Sequence, residues 1–298
     1  MEADTQNKIL KIMGMIEYFK RKIAKRQLKT TFNEYGFRVD KFPIDKYGIV
    51  EYAQWLHPFQ TPTVISNSNI LFYQKLSCKG GMIIDIGAHT GDTTVPMALA
   101  VGKEGLVLGL EPNKYVYKIL EKNASLNIDK TNIIPLCIAA TAKDGEFTFN
   151  YSDASYCNGG FLSQIKNKRH HHSFTLNVSG RNLQEYLLEN HKDDLTRLDL
   201  IKIDAEGYDK EILKSIPKIL EDIKPNLLIE CYKRLTVEER EELFDLVDGF
   251  GYQLYFLDDF QMFDNLEKIA KSQMTDKKHF DMLAIHKSKE SQINIIYG

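Results

Sequence analysis

The 298-residue sequence is 43% hydrophobic and 27% charged, with a net charge of −2. That balance suits a globular chain of one large decorated domain or two small ones, and argues against a dedicated nucleic-acid binder. No apolar run approaches the roughly 18–20 residues of a membrane span, and the N-terminus lacks the apolar core and cleavage site of a secretory signal.

Residues 1–30 are predicted to form a basic amphipathic helix. Ile9, Ile12, Met13, Ile16, Phe19 and Ile23 recur at three- and four-residue steps, and Lys20, Arg21, Lys22, Lys25, Arg26 and Lys29 follow without an acid. Two readings stay open: packing on the body with a solvated basic face, or contact with an anionic membrane surface or a partner protein. Residues 31–79, mixed and without a clean period, are expected to be an accessory region, as a hairpin or a cap over a pocket. Residues 80–298 form the main domain. MIIDIG is its first strand, and residues 92–101 are a helix that tolerates Pro96 only near its first turn. LVLGLE, a helix over residues 114–126 and the strand NIIPLCIA follow. EFTFNY and FTLNV are read as an inserted strand pair around a polar loop that holds Asn158 and the run Lys168-Arg169-His170-His171-His172. Three adjacent histidines in a loop rarely aim at one ion, so a solvated tip is favoured over a zinc site. Next come a helix over residues 182–190, the strand DLIKID, a helix split at Pro217 and the strand NLLIEC. Thr236 with Glu239 forms a capping box for a further helix, and YQLYFL and FDMLAIH end the set. This alternation predicts a doubly wound α/β fold with a mainly parallel sheet, whose last strand runs antiparallel for want of a crossover helix. Cys78, Cys137, Cys157 and Cys231 share no short spacing, which predicts reduced, buried thiols, a cytoplasmic setting and no metal centre.

The chemically suggestive residues sit at strand ends, where such sheets bind ligands. Asp85-Ile86-Gly87-Ala88-His89-Thr90-Gly91-Asp92 is a glycine-bounded loop opening a helix, and the next strand ends in Glu111, spaced to take the two hydroxyls of a ribose. His89 stands where a dinucleotide site needs a glycine to admit the pyrophosphate, and Asp85 suits a cationic sulfonium better than a phosphate. The pair favours S-adenosylmethionine over NAD. In LIKIDAEGYDKEIL, Asp204 and Glu206 would share one face if the strand persists to Glu206, and two anions that close call for a cation, a proton or hydroxyl donors between them. Asp209 is a candidate cap for the helix that follows.

IIDIGAHTGDTT, LGLEPN, the stretch from Ile138 to Phe147, IKIDAEGYDKEIL, KPNLLIE and FDMLAIH, in that order, resemble FkbM-type S-adenosylmethionine-dependent methyltransferases over residues 80–287. The resemblance implies a Rossmann-like class I domain and transfer of a methyl group to a hydroxyl of a saccharide, glycan, glycolipid or related metabolite. It implies that Asp85, Gly87, Ala88, His89, Gly91 and Thr93 line the cofactor, with Glu111 on the ribose, Asn113 beside it and Ile138 with Ala139 flanking the adenine. Two departures stand out: His89 replaces the usual Asn, and SGRNLQEY replaces a T-L-D-D-like element. Asp204 is the candidate catalytic base or orienting acceptor, and Glu206 either shares the acceptor or braces the turn. Glu230, Tyr232, Tyr156 and Asn158 are candidate acceptor contacts. A divalent ion between Asp204, Glu206 and Glu230 is a less favoured arrangement. The alternative function is a scaffold that has lost catalysis, against which the intact loop and acids argue.

Overall fold

The computed structural model describes residues 31–151, 153–157, 159–160, 174–257, 259 and 266–292. The basic N-terminal segment, Asn158 and the triple histidine lie outside the described residues. The chain begins with an antiparallel hairpin, β1 (Phe37–Ile44) and β2 (Gly48–Trp55), then α1 (Asn67–Leu76), whose first turn is closed by a reciprocal Ser66–Asn69 capping box. The alternating part follows as β3 (Met82–Ile86), α2 (Thr94–Val101), β4 (Leu106–Leu110), α3 (Lys114–Ser125) and β5 (Ile133–Leu136). Pro96 is the third residue of α2, where a missing N–H costs no helical bond.

The run from Asn132 to Ala139 divides instead of forming one strand. β5 is an edge strand, and Pro135 within it fits there because an edge leaves one row of N–H groups unused. Beyond Leu136 the chain leaves the large sheet, and β6 (Ala139–Thr141) joins a second sheet with β7 (Gly145–Tyr151), β8 (Gly159–Gly160) and β9 (Phe174–Asn182) in the order β6-β9-β7-β8. The expected inserted pair is β7 with β9, in antiparallel register from Gly145↔Gly180 to Tyr151↔Phe174.

The chain then returns through α4 (Leu183–Asn190), β10 (Leu198–Ile203), α5 (Asp209–Ser215), β11 (Asn226–Cys231), α6 (Val237–Gly249), β12 (Tyr252–Leu257) and β13 (Phe280–His286). The helix expected to split at Pro217 does so: α5 stops at Ser215, and a π turn at Ile219–Ile223 ends on Lys224 in the left-handed region. The large sheet has the order β12-β13-β11-β10-β3-β4-β5, parallel except at β13, which runs antiparallel to both β11 and β12. It is the expected doubly wound, mainly parallel α/β arrangement with an antiparallel last strand. Winding reverses between β3 and β10, which opens a crevice at their carboxyl ends.

Both faces of the sheet are covered, and the alternation within strands shows it. Met82, Ile84 and Ile86 pack with α4, α5 and α6, while Ile83 packs with α1, α2 and the hairpin. The accessory region therefore shares a core with the main domain. Its hairpin is fastened by Asn123, whose Oδ1 accepts from Ala53 N at 2.6 Å and whose Nδ2 donates to Ala53 O at 3.1 Å and Thr90 O at 2.7 Å. The four thiols are free; Cys157 and Cys231 are buried as expected, but Cys78 is exposed at the end of α1. No helix among the described residues is long and apolar enough to cross a membrane.

Candidate active site

The crevice holds a cavity of about 460 Å³, walled by the ends of β3, β4 and β10 and by β6 and β7 of the small sheet. The glycine loop reaches it by following β4: Gly87 N and Ala88 N both donate to Leu110 O, at 3.1 and 3.0 Å. Gly87 has φ +76°, and a Cβ there would stand 2.0 Å from the carbonyl oxygen of Asp204. Only glycine lets these two strand ends meet. Behind the loop, Tyr52 and Thr90 share a hydroxyl bond of 2.8 Å and the Trp55 ring stands edge-on 5.9 Å from that of His89. The hairpin thus braces the loop from behind, and none of its residues lines the cavity.

Of the sequence-predicted residues, Gly87, His89, Thr93, Glu111, Asn113, Ile138, Ala139, Asp204 and Glu206 line the cavity. Glu111 is buried, and both its oxygens already accept backbone bonds, from His89 N at 3.0 Å and Asn113 N at 2.8 Å. Burial nevertheless pushes its carboxyl up to about 7. A carboxylate oxygen with one bond can accept another, so Glu111, which lines the cavity, suits a vicinal diol. His89 lies at φ +47° and its imidazole is pushed down by burial, against the pull of Asp92 and Asp204.

Several expected residues do not reach the wall. Asp85 is fully buried beneath it: Oδ2 accepts from the Thr93 and Thr94 hydroxyls at 2.8 and 2.6 Å, and Oδ1 from Lys202 Nζ at 3.1 Å. Its charge is answered inside the protein, so it does not face a ligand cation. Ala88 is turned into the core, and Gly91 packs so close to Leu120 that a Cβ would come within 3.1 Å. Tyr156, at φ +60°, stacks on Tyr115 with centroids 5.3 Å apart and accepts from Asn113 Nδ2 through its carbonyl at 2.6 Å. Tyr232 is buried and donates its hydroxyl to Glu206 Oε2 at 3.2 Å. Glu230 pairs in register with Asp281 of β13, away from the cavity wall, with His279 Nδ1 3.3 Å from Oε1 and no partner for Oε2. Burial, reinforced by Asp204, Asp209, Glu206 and Asp281, pushes Glu230 up to about 10.

Asp204 and Glu206 do not share a strand face. β10 ends at Ile203, and Glu206 lies at φ +50° ahead of Gly207 at φ +97°. The turn is braced by Asp209, which does not act as a helix cap: it heads α5 and takes Ala205 N at 3.3 Å and Gly207 N at 3.0 Å on its two oxygens. Each acid has its own partner: Lys202 Nζ is 3.5 Å from Asp204 Oδ2, and the Tyr232 hydroxyl serves Glu206. Lys202 was missed, although a lysine inside the apolar run LIKI was a visible signal. Asp92, Phe149, Tyr151 and Tyr208 also line the cavity and were missed, the first because it follows the glycine loop inconspicuously and the aromatics because only the small sheet and α5 bring them there. Among the described residues no group of three or more His, Cys, Asp or Glu side chains is arranged to hold a metal ion.

The profile of the Methyltransferase FkbM domain matches residues 85–254, more than half of the chain. The chain belongs to the FkbM methyltransferase family. It is 22% identical over 193 residues to Methyltransferase sdnD of Sordaria araneosa, covering 58% of this chain and 73% of that protein. The crystal structure of Methyltransferase FkbM from Methylobacillus flagellatus is similar at 16% identity and a TM-score of 0.43, over 72% of this chain and 48% of that one. A SAM-dependent O-methyltransferase from Thermotoga maritima is similar at 13% identity and a TM-score of 0.40, over 84% and 78% of the two chains. Membership implies the use of S-adenosylmethionine and a methyl acceptor. The residues present fit that cofactor: the Glu111 carboxylate can accept from a diol, and Ile138 with Ala139 adds apolar lining to the same cavity.

Proposed function

We propose that this FkbM-family protein transfers a methyl group from S-adenosylmethionine to a hydroxyl of a saccharide, glycan or glycolipid acceptor. The observation that carries the reading is the Asp204 carboxylate, 38% exposed, on the wall of the same cavity as Glu111. In this reading Glu111 accepts the two ribose hydroxyls, Gly87, His89, Thr93 and Asn113 surround the cofactor, and Ile138 and Ala139 flank the adenine. When bound, the cofactor supplies an electrophilic methyl on a sulfonium. Asp204 orients the acceptor hydroxyl and takes its proton as the oxygen's lone pair forms the bond to the methyl carbon, while the pair of the S–C bond would stay on sulfur and leave a neutral thioether. Glu206, fixed by Tyr232, accepts a second acceptor hydroxyl. The rings of Phe149, Tyr151 and Tyr208 suit the C–H faces of a sugar.

Calorimetry tests the cofactor part: wild type should bind S-adenosylmethionine, and Glu111→Ala should bind it more weakly by about 1–3 kcal/mol. Preference for NAD would overturn the reading. Transfer of a labelled methyl group tests the acceptor part. Label that survives mild alkali on a neutral glycan supports an ether, and label found only on nitrogen or as an ester refutes it.

A further inference from the structure

Among the described residues, Lys202 is the one lysine or arginine that lines the cavity, beside the acids Asp92, Glu111, Asp204, Glu206 and Asp259. It lies on β10 directly in register with Asp85 of β3, at the point where the winding of the sheet reverses. The side chain is 2% exposed, yet burial does not discharge it, because Asp85, Asp204 and Asp92 together raise its ammonium well above its ordinary range. Its Nζ is 3.1 Å from Asp85 Oδ1, 3.4 Å from Gly87 O and 3.5 Å from Asp204 Oδ2. The first two contacts belong to the glycine loop, since Asp85 passes the constraint on through Thr93 and Thr94 at the start of α2. The third belongs to the turn after β10.

We propose that Lys202 is a positioning residue that ties the cofactor loop, through Asp85 and Gly87, to the acceptor-side carboxylate Asp204. One buried cation then sets the spacing between the loop under the cofactor and the group that meets the acceptor. It also neutralises Asp204 on the side away from the acceptor, so the carboxylate keeps its remaining acceptor sites for a hydroxyl. The inference rests on the S-adenosylmethionine reading above and adds to it a residue that reads both halves of the site.

The test uses the full chain, with S-adenosylmethionine and its neutral thioether product S-adenosylhomocysteine as calorimetric probes. Lys202→Met should weaken both ligands about tenfold or more by loosening the loop. It should also raise the preference for the cationic ligand about threefold or more, because Asp204 is left uncompensated beside the cavity. Adding Asp204→Asn should abolish that change in preference, and Lys202→Arg should restore both affinities. A merely structural lysine would weaken the two ligands equally and leave their ratio alone. If Lys202→Met does not fold, Asp85→Asn with Lys202→Met removes the buried pair as a unit and is judged on the same affinities and ratio. A folded variant that binds both ligands within twofold of wild type, or one whose ratio does not move, overturns the inference. Wild-type protein that binds neither ligand overturns the cofactor reading along with it.

Discussion

At the scale of single residues the site is a set of carboxylates whose environments differ. Asp204 is half-open to the cavity and tied to a lysine, whereas Glu230, Asp281 and Asp209 are buried. Asp204→Asn keeps the shape and removes the proposed base, so it should bind cofactor normally and lose about 10²–10⁴-fold in turnover, checked with labelled methyl transfer. Glu206→Gln should lose less, because the turn is braced by Asp209. Glu111 is pushed up to about 7 by burial, and a ribose would hydrogen-bond its ionised form. Affinity for S-adenosylmethionine should therefore rise with pH through about 7 and fall below it, and calorimetry of Glu111→Gln should show that dependence flattened. Stability moves the other way. Asp209 and Asp281 rise from 3.8 to about 7 and Glu230 from 4.5 to about 10, each first of all by burial. The folded state then binds more protons than the unfolded one, so the stabilisation is complete below the unfolded values and is lost as pH rises through the folded ones. Urea titrations should show unfolding free energy falling between about pH 5 and pH 9, with a shallower slope in Glu230→Gln.

At the scale of elements, the loops after β3 and β10 and the hairpin behind them work as one support. Gly87→Ala would drive a Cβ to 2.0 Å from the Asp204 carbonyl at a φ of +76°, so the two strand ends would have to part. A loss of about 2–4 kcal/mol in denaturant titrations, with cofactor binding abolished, is the expected outcome. Asn123 joins β2 to the glycine loop through three bonds to Ala53 and Thr90. Asn123→Ala takes away the partner of Ala53 N–H and C=O, leaves the Thr90 carbonyl only the longer bond from the Tyr52 hydroxyl at 3.4 Å, and should cost about 2–4 kcal/mol by the same measurement. Because the Thr90 carbonyl is inside the loop, the variant should also weaken cofactor binding, which a hairpin serving only as decoration would not do.

For the whole molecule, the sheet supplies a rigid floor and the small sheet of β6 to β9 supplies one wall of the cavity. Ligand that binds only the folded state adds RT ln(1 + [L]/Kd) to stability, so saturation at about 100 times Kd should add about 2.7 kcal/mol and raise the melting temperature in calorimetry. The basic composition of residues 1–30 carries a separate expectation. If that segment brings the enzyme to an anionic membrane surface, full-length protein should sediment with anionic vesicles at low salt. Binding should fall at moderate salt, since exposed charges are screened over about 10 Å at 0.1 M, and should be absent after truncation of the segment. Protein that ignores the vesicles in both conditions rules that contact out.

The sequence by itself determined the parts of this protein that depend on local pattern. The strands of the main sheet, its mainly parallel winding, the antiparallel last strand and the Thr236–Glu239 cap were all legible, because apolar period and capping chemistry act over a few residues. The strand from Asn132 to Ala139 was not, since its division depends on β6 finding β9 some forty residues later. The acids show the limit most clearly. Asp85, Asp204, Glu206 and Glu230 all end or follow strands and look alike in the chain, so their spacing could not say which would face a ligand. Register decided it: Asp85 beside Lys202 is neutralised in the floor, Glu230 beside Asp281 is driven toward its protonated form, and Asp204, one residue past the end of β10, is left at the cavity. Burial and the nearest counter-charge set the behaviour of a carboxylate, and both are properties of strands brought together from distant parts of the chain.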